Sequence, residues 1–239
     1  MTDFSIVLPA HNEAPRLANA VSAVKRALGK SYDYELVIAE DGSTDGTYAV
    51  AKKIAAQTRN VRVLHSEKKL GRGLALKRAF SSARGKFVAY MDVDLATDVK
   101  HARELLDRVE AGADVATGSR YLRQSRTNRS SKRLFFSSGY NTLVRLLLGS
   151  KLRDHQCGFK AFKKTVALHL CREARSNKWF WDTEVLVLAQ KRGFRVEEFP
   201  IEWNEQRTTT MNFKTDILGM GAALFELWWR LLWATGSKK

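Results

Sequence analysis

Short β-branched runs alternate with longer stretches of helical spacing through the first half of this chain, and polar clusters directly follow several of the runs. Residues 4–8, 34–39, 61–64, 87–91 and 115–117 have the near-continuous apolar character of strands buried on both faces. Between them, residues 17–28, 47–56, 74–83 and 101–110 carry apolar positions at helical intervals. The alternation predicts an α/β fold, a mostly parallel sheet flanked by helices. Ligands of such sheets bind beyond the carboxyl ends of the strands. Polar clusters stand there at residues 9–13, 40–45 and 92–94.

After Gly118 the character changes. Residues 120–133 hold Arg120, Arg123, Arg126, Arg129, Lys132 and Arg133 among Ser, Thr, Asn and Gln, and read as a mobile basic loop. Helical patterns follow at 134–148, 166–171 and 183–192, then a strand at 195–199 and a Leu- and Trp-rich segment at 217–233. No linker divides the 239 residues, so we expect one main domain over 1–212, including the loop 120–133 and an amphipathic helix 133–148. A C-terminal helical segment, 213–239, completes the chain. Lys and Arg outnumber Asp and Glu by 41 to 25, a net charge of +16, which favours polyanions: nucleic acid, anionic lipid or a phosphorylated substrate. Two cysteines and an N-terminus that runs straight into an apolar strand suggest a non-secreted protein of a reducing compartment. No stretch of about 18 apolar residues is free of charge, which argues against a spanning helix.

Asp92-Val93-Asp94 closes an apolar strand. Two carboxylates at i and i+2, entering a loop, can share one hard divalent ion that keeps positions open for phosphate oxygens. An isolated Asp-x-Asp is more often an acidic turn; its place at a strand end in so basic a chain favours Mg²⁺ or Mn²⁺. Asp45 suits a cap for the helix that follows, whereas Asp41 has no such duty and can accept a hydrogen bond from a nucleobase. On a helix, Arg133, Ser137, Asn141 and Arg145 recur every four residues as one polar stripe. Ser and Asn are poor helix formers for a merely solvated face, so the stripe suggests a lined phosphate site. In 217–233, Glu226 and Arg230 stand four apart in the favourable order, and Trp228, Trp229 and Trp233 suit a helix lying in a headgroup region. A core helix or a dimer contact explains that segment equally well.

The ordered set Pro9-Ala10-His11-Asn12-Glu13, Glu40-Asp41-Gly42-Ser43, Gly71-Arg72-Gly73, Asp92-Val93-Asp94 and Gly118-Ser119-Arg120 resembles family-two glycosyltransferases of the GT-A fold. Three later runs, 133–137, 154–160 and 180–184, are similar to dolichyl-phosphate glucose and mannose synthases. The resemblance implies that Pro9, His11, Glu13 and Asp41 contact the nucleoside, and that Asp92 and Asp94 hold the metal. It implies that Arg120, Arg133 and Ser137 reach the phosphates of donor or acceptor, with Asp94 among the catalytic groups. Asn141, Gln156, Lys160, Asp182 and Glu184 are further candidates on the acceptor side. The family's late Gly-Ser-Lys falls at 208–210, where the lysine is missing; Arg207 and Lys214 are the available substitutes. His11 stands in place of the family's usual Tyr, and Ala96 in place of the Gln of mannose synthases.

The expected reaction is an inverting transfer of glucose or mannose from UDP-glucose or GDP-mannose to a polyprenyl phosphate. The expected location is peripheral, on the cytoplasmic face of an anionic membrane. The alternatives are a glycosyltransferase acting on a polysaccharide or protein hydroxyl, a sugar-phosphate nucleotidyltransferase, and a nucleic-acid-binding module. The last is suggested only by charge; the chain carries no zinc, RRM or KH signature, and no nucleic-acid partner is expected.

Overall fold

The computed structural model of the protein describes residues 2–205 and 213–236. Strands β1 (Phe4–Ala10), β2 (Tyr34–Glu40), β3 (Val61–Leu64), β4 (Phe87–Met91), β5 (Val115–Ser119), β7 (Phe159–Lys163) and β8 (Val196–Pro200) form one sheet in the order β3-β2-β1-β4-β7-β5-β8. All neighbours are parallel except β7, which runs antiparallel between β4 and β5. A second sheet pairs β6 (Arg126–Asn128) with β9 (Glu202–Asn204) in parallel. The helices are α1 (Ala14–Leu28), α2 (Thr47–Gln57), α3 (Arg72–Ser82), α4 (Ala102–Glu110), α5 (Ser131–Leu148), α6 (Lys164–Glu173), α7 (Trp181–Lys191) and α8 (Phe213–Gly236).

Strand alternation sorts the apolar residues into two cores. In β1 and β2, Phe4, Ile6, Leu8, Leu36 and Ile38 join the core beneath α1 and α4. Val7, Val37 and Ala39 point the other way, to α3, α6 and α7. Helix α1 buries Leu17, Ala20, Val21, Val24 and Leu28, one face at helical spacing. It carries Pro15 in its first turn and ends on Gly29 with φ 58°.

Three expectations are corrected. The segment 120–133 is not simply a loop: it contains β6 and the start of α5, because its backbone finds partners in β9. The stripe of four on α5 is broken. Ser137 and Asn141 are buried but Arg145 is exposed, because a step of four residues overshoots a turn by about 40° and three steps carry Arg145 well round the helix. Glu226 and Arg230 do not pair with each other; Glu226 meets Arg175 at 3.3 Å and Arg230 meets the buried Glu184 at 2.5 Å. Helix α8 therefore has a core side, Met220, Leu224 and Leu227. Its other side exposes Leu218, Phe225, Trp229, Leu232 and Trp233.

Candidate active site

The crevice lies where β1, β2 and β4 end. At the end of β1, His11 Nδ1 bonds the Asp41 carbonyl at 2.8 Å, and Asn12, at φ 56°, accepts from Thr44 N at 2.9 Å. The buried Glu13 donates its N–H to Thr47 Oγ1. The β1 and β2 turns are thus laced together, with Pro9 beside Ala39 in register. Asp41 has the structural duty that it lacked in the sequence. Its carboxylate accepts from Leu70 N at 2.7 Å and Gly71 N at 3.0 Å, pinning the loop that begins α3. Gly42 and Gly71 have φ of 62° and 94°, and a Cβ on Gly42 would stand 2.5 Å from Lys69 N, so both turns need glycine.

That loop delivers Arg72, a residue the sequence reading passed over. Its Nη2 lies 2.6 Å from Asp92 Oδ1 and its Nε 3.1 Å from Asp182 Oδ2. The approach depends on Gly73, where a Cβ would stand 2.7 Å from that of Trp181 on α7. Asp182 also accepts from Tyr90 Oη, and from Lys160 Nζ at 3.0 Å. Lys160, fully buried on β7, donates in addition to the Cys157 carbonyl. Burial alone raises the Asp182 carboxyl, but the charges of Lys160 and Arg72 outweigh it and hold the group below its ordinary range. Asp92 is displaced the other way: burial pushes it up, and the Asp94 charge adds to burial against the pull of Arg72.

Asp92 is packed on Gly158, whose carbonyl accepts its N–H at 3.1 Å. Its Oδ1 is shielded from water and accepts no well-aligned hydrogen bond despite the nearby Arg72 charge. Asp94 accepts from Ala96 N at 3.1 Å across a turn in which Leu95 has φ 51°. A small cleft lined by Met91, Asp92, Leu95, Thr97, Val99 and Phe159 opens beside them. These two carboxylates, two residues apart at a strand end, fit a hard divalent ion, although Asp92 already faces the Arg72 charge. Among the described residues no group of three His, Cys, Asp or Glu is placed to hold a metal.

Segment 154–158 links this carboxylate pair to α5. Arg120 donates to Asp154 through one edge of its guanidinium, Nε at 2.7 Å and Nη2 at 2.8 Å, and the pair is buried. Burial would raise Asp154, yet Arg120 holds it at about 2. His155 sits between Asn141 Oδ1 at 2.8 Å and Ser150 Oγ at 2.7 Å, and burial lowers it to about 4. Asn141 donates to the Ser137 carbonyl at 3.0 Å. Ser137 Oγ lies 2.5 Å from Tyr121 Oη and accepts from Arg129 Nη1 at 2.9 Å. Arg133 pairs with Glu205. Arg129, which the sequence placed only in the basic loop, lies over the Trp203 ring. Its Nε is buried without a partner, and among the described residues no carboxylate lies within ion-pair distance. Burial, with Arg120 and Arg133 nearby, lowers its guanidinium below the ordinary arginine value.

The remaining candidates are placed differently. Glu184 faces α8 and the 175–176 backbone rather than Asp92. Gln156 Nε2 lies 3.8 Å from Met220 Sδ. Arg207 and the side chain of Lys214 lie outside the described residues. Cys157 and Cys171 are free thiols pushed up to about 12 by burial, which suits structural residues rather than nucleophiles.

Comparison with known proteins adds to this geometry. A family model described as "Glycosyl transferase family 2" matches residues 5–170. The chain is 46% identical over 233 residues to Glycosyltransferase AglD of Haloferax volcanii, covering 96% of this chain and 37% of that protein. It is 30% identical to the dolichyl-phosphate beta-glucosyltransferase of Saccharomyces cerevisiae, covering 92% of this chain and 72% of that protein. This chain thus spans little more than a third of AglD. Among solved structures, glucosyl-3-phosphoglycerate synthase of Mycobacterium tuberculosis with UDP superposes with a TM-score of 0.71 at 19% identity, over 95% of this chain and 80% of that one. Its complex with Mn²⁺, UDP and glucosyl-3-phosphoglycerate gives 0.69. The shared architecture is the GT-A fold.

Proposed function

Since the chain belongs to glycosyl transferase family 2, we propose that it transfers a hexose, glucose in preference to mannose, from a nucleoside-diphosphate sugar to a polyprenyl phosphate. One observation carries the reading: a continuous run of contacts connects Asp41, Arg72 and Asp92 with the polar face of α5, through the 154–158 segment. That connection supports reading the β-strand-end turns as the nucleotide side, and the basic, hydroxyl-bearing face of α5 as the phosphate side, of one site. The preference for glucose rests on the yeast relative, a dolichyl-phosphate beta-glucosyltransferase.

The nucleoside is assigned to Pro9, His11, Glu13 and Asp41, and the phosphates to Arg133 and Ser137, with Arg129 added by its missing counter-charge. Arg120, tied to Asp154, positions the 154–158 segment. Asp92 and Asp94 would hold Mg²⁺ or Mn²⁺, and the mycobacterial structural neighbour binds Mn²⁺ together with UDP. A bound dication supplies neutralisation of the departing diphosphate. The acceptor phosphate, with a second pKa near 6, is already ionised at neutral pH and needs placing rather than deprotonation. A hydroxyl acceptor needs a general base. Asp182 is buried with its oxygens engaged by Tyr90, Lys160 and Arg72, and Glu184 faces α8, so neither of these two candidates is poised for that task. This supports the phosphate acceptor over the hydroxyl one.

No helix among the described residues is long and apolar enough to cross a membrane. The exposed faces of α5 and α8 support an interfacial attachment instead. The two free thiols support the reducing, cytoplasmic side. The deciding experiment incubates purified protein with UDP-glucose or GDP-mannose and either polyprenyl phosphate or the free polyprenol. A lipid product heavier by one hexose, from the phosphate alone, is expected; transfer to the polyprenol alone, or to neither lipid, would refute the reading.

A further inference from the structure

We infer that Arg72 is a resident counter-charge for Asp92, which makes divalent-metal binding conditional on the nucleoside diphosphate. The inference rests on the metal-and-nucleotide reading above and adds a residue and an order of events to it.

Three observations converge. The chain offers the ion two carboxylates, Asp92 and Asp94, with no third His, Cys, Asp or Glu grouped with them among the described residues. One of the two is already matched by a cation, since Arg72 Nη2 lies 2.6 Å from Asp92 Oδ1. Finally, Arg72 is fixed: Asp182 takes its Nε, the rings of Tyr90 and Trp179 lie within 6 Å, and Gly71 and Gly73 lock the turn that carries it. Asp182 is itself held by Lys160 and Tyr90, so the arginine is anchored from behind. A dication entering without nucleotide meets an Asp92 already matched by the fixed positive charge of Arg72. A diphosphate arriving with it brings the missing negative charge and oxygen ligands. Arg72 then remains as a positive wall behind the metal, a positioning residue acting through Asp92.

The test is a Mn²⁺ titration read by the electron paramagnetic resonance of the free ion, on the purified chain with and without UDP or GDP. Wild-type protein should bind Mn²⁺ weakly alone and about tenfold or more tightly with one of the nucleotides. Arg72→Gln should tighten binding of Mn²⁺ alone by about tenfold, while Arg72→Lys, which keeps the charge, should stay near wild type. Asp182→Asn should act in the opposite sense, since Lys160 and Arg72 then face Asp92 with less opposing charge. Structural damage would weaken both variants, so the opposed signs separate electrostatics from misfolding. Unchanged or weaker Mn²⁺ binding by folded Arg72→Gln, or tight binding by wild type without nucleotide, would overturn the inference alone. Should wild type bind no Mn²⁺ with either nucleotide, the metal reading falls and this inference with it.

Discussion

At the scale of single residues, Gly158 shows how little space the site leaves. A Cβ there would stand 1.9 Å from Asp92 Oδ2, and its φ lies outside the left-handed region, so the glycine is needed for room and not for backbone freedom. Gly158→Ala should therefore displace Asp92, lowering hexosyl transfer by about 100-fold while costing only about 1–3 kcal/mol of stability. Turnover measured beside urea unfolding checks both halves. His155 makes a different prediction. Its folded pKa of about 4 is depressed from an unfolded value of 6.5, so its contribution is fully present above pH 6.5 and is lost as pH falls toward 4. Wild type should lose roughly 2–3 kcal/mol between pH 7 and 4.5 from this group, and His155→Asn should show a shallower loss in urea melts at the two pH values. The positions of the paired aspartates and of Glu40-Asp41 were legible because each cluster follows an apolar run; the loop that Asp41 pins was not. Arg72 was not, although it sits in the quoted Gly71-Arg72-Gly73. Its role depends on α3, β4 and α7 meeting, a long-range fact that local spacing does not carry.

Among elements, α5 is the instructive one. Its helical character and its polar positions could be read from 134–148, but periodicity marks a stripe without saying which stripe faces inward. The structure turns Ser137 and Asn141 inward beside the core residues Val144 and Leu148, and leaves Leu134, Phe135, Phe136, Leu143, Leu146 and Leu147 outside, more apolar surface than an ordinary surface helix exposes. Phe135 and Leu146, at 75% and 77% exposure, have little folded-state packing to lose. A Phe135→Glu, Leu146→Glu double variant should keep its thermal midpoint, yet bind anionic vesicles about tenfold or more weakly in co-sedimentation. Retained vesicle binding would remove α5 from the interface. Strand β7 was missed for another reason. It has five residues, one of them a buried lysine, and the pairing with Asp182 together with the Cys157 carbonyl makes Lys160 tolerable inside a sheet.

For the whole molecule, the parallel half of the sheet and the crevice at its strand ends follow from the sequence alternation. The antiparallel insertion and the small β6–β9 sheet depend on pairings between segments far apart in the chain. Charge belongs to this scale too. A surplus of +16 acts through the field of the entire surface, and the exposed Arg123 and Arg126 lie in the segment leading into α5. Vesicle binding should therefore weaken as salt rises from about 0.05 to 0.5 M, as the Debye length falls below about 5 Å. The part that survives high salt should be the part removed by the α5 double variant.

If α5 lies on a bilayer as proposed, it divides two solvents. Within the roughly 10–12 Å width of one helix, the surroundings pass from a guanidinium and hydroxyl lining to an oily outer wall. On the proposed reading, a polyprenyl phosphate would straddle that wall with its ionic head and hydrocarbon tail each in its preferred medium, so its loading would not draw the tail through water.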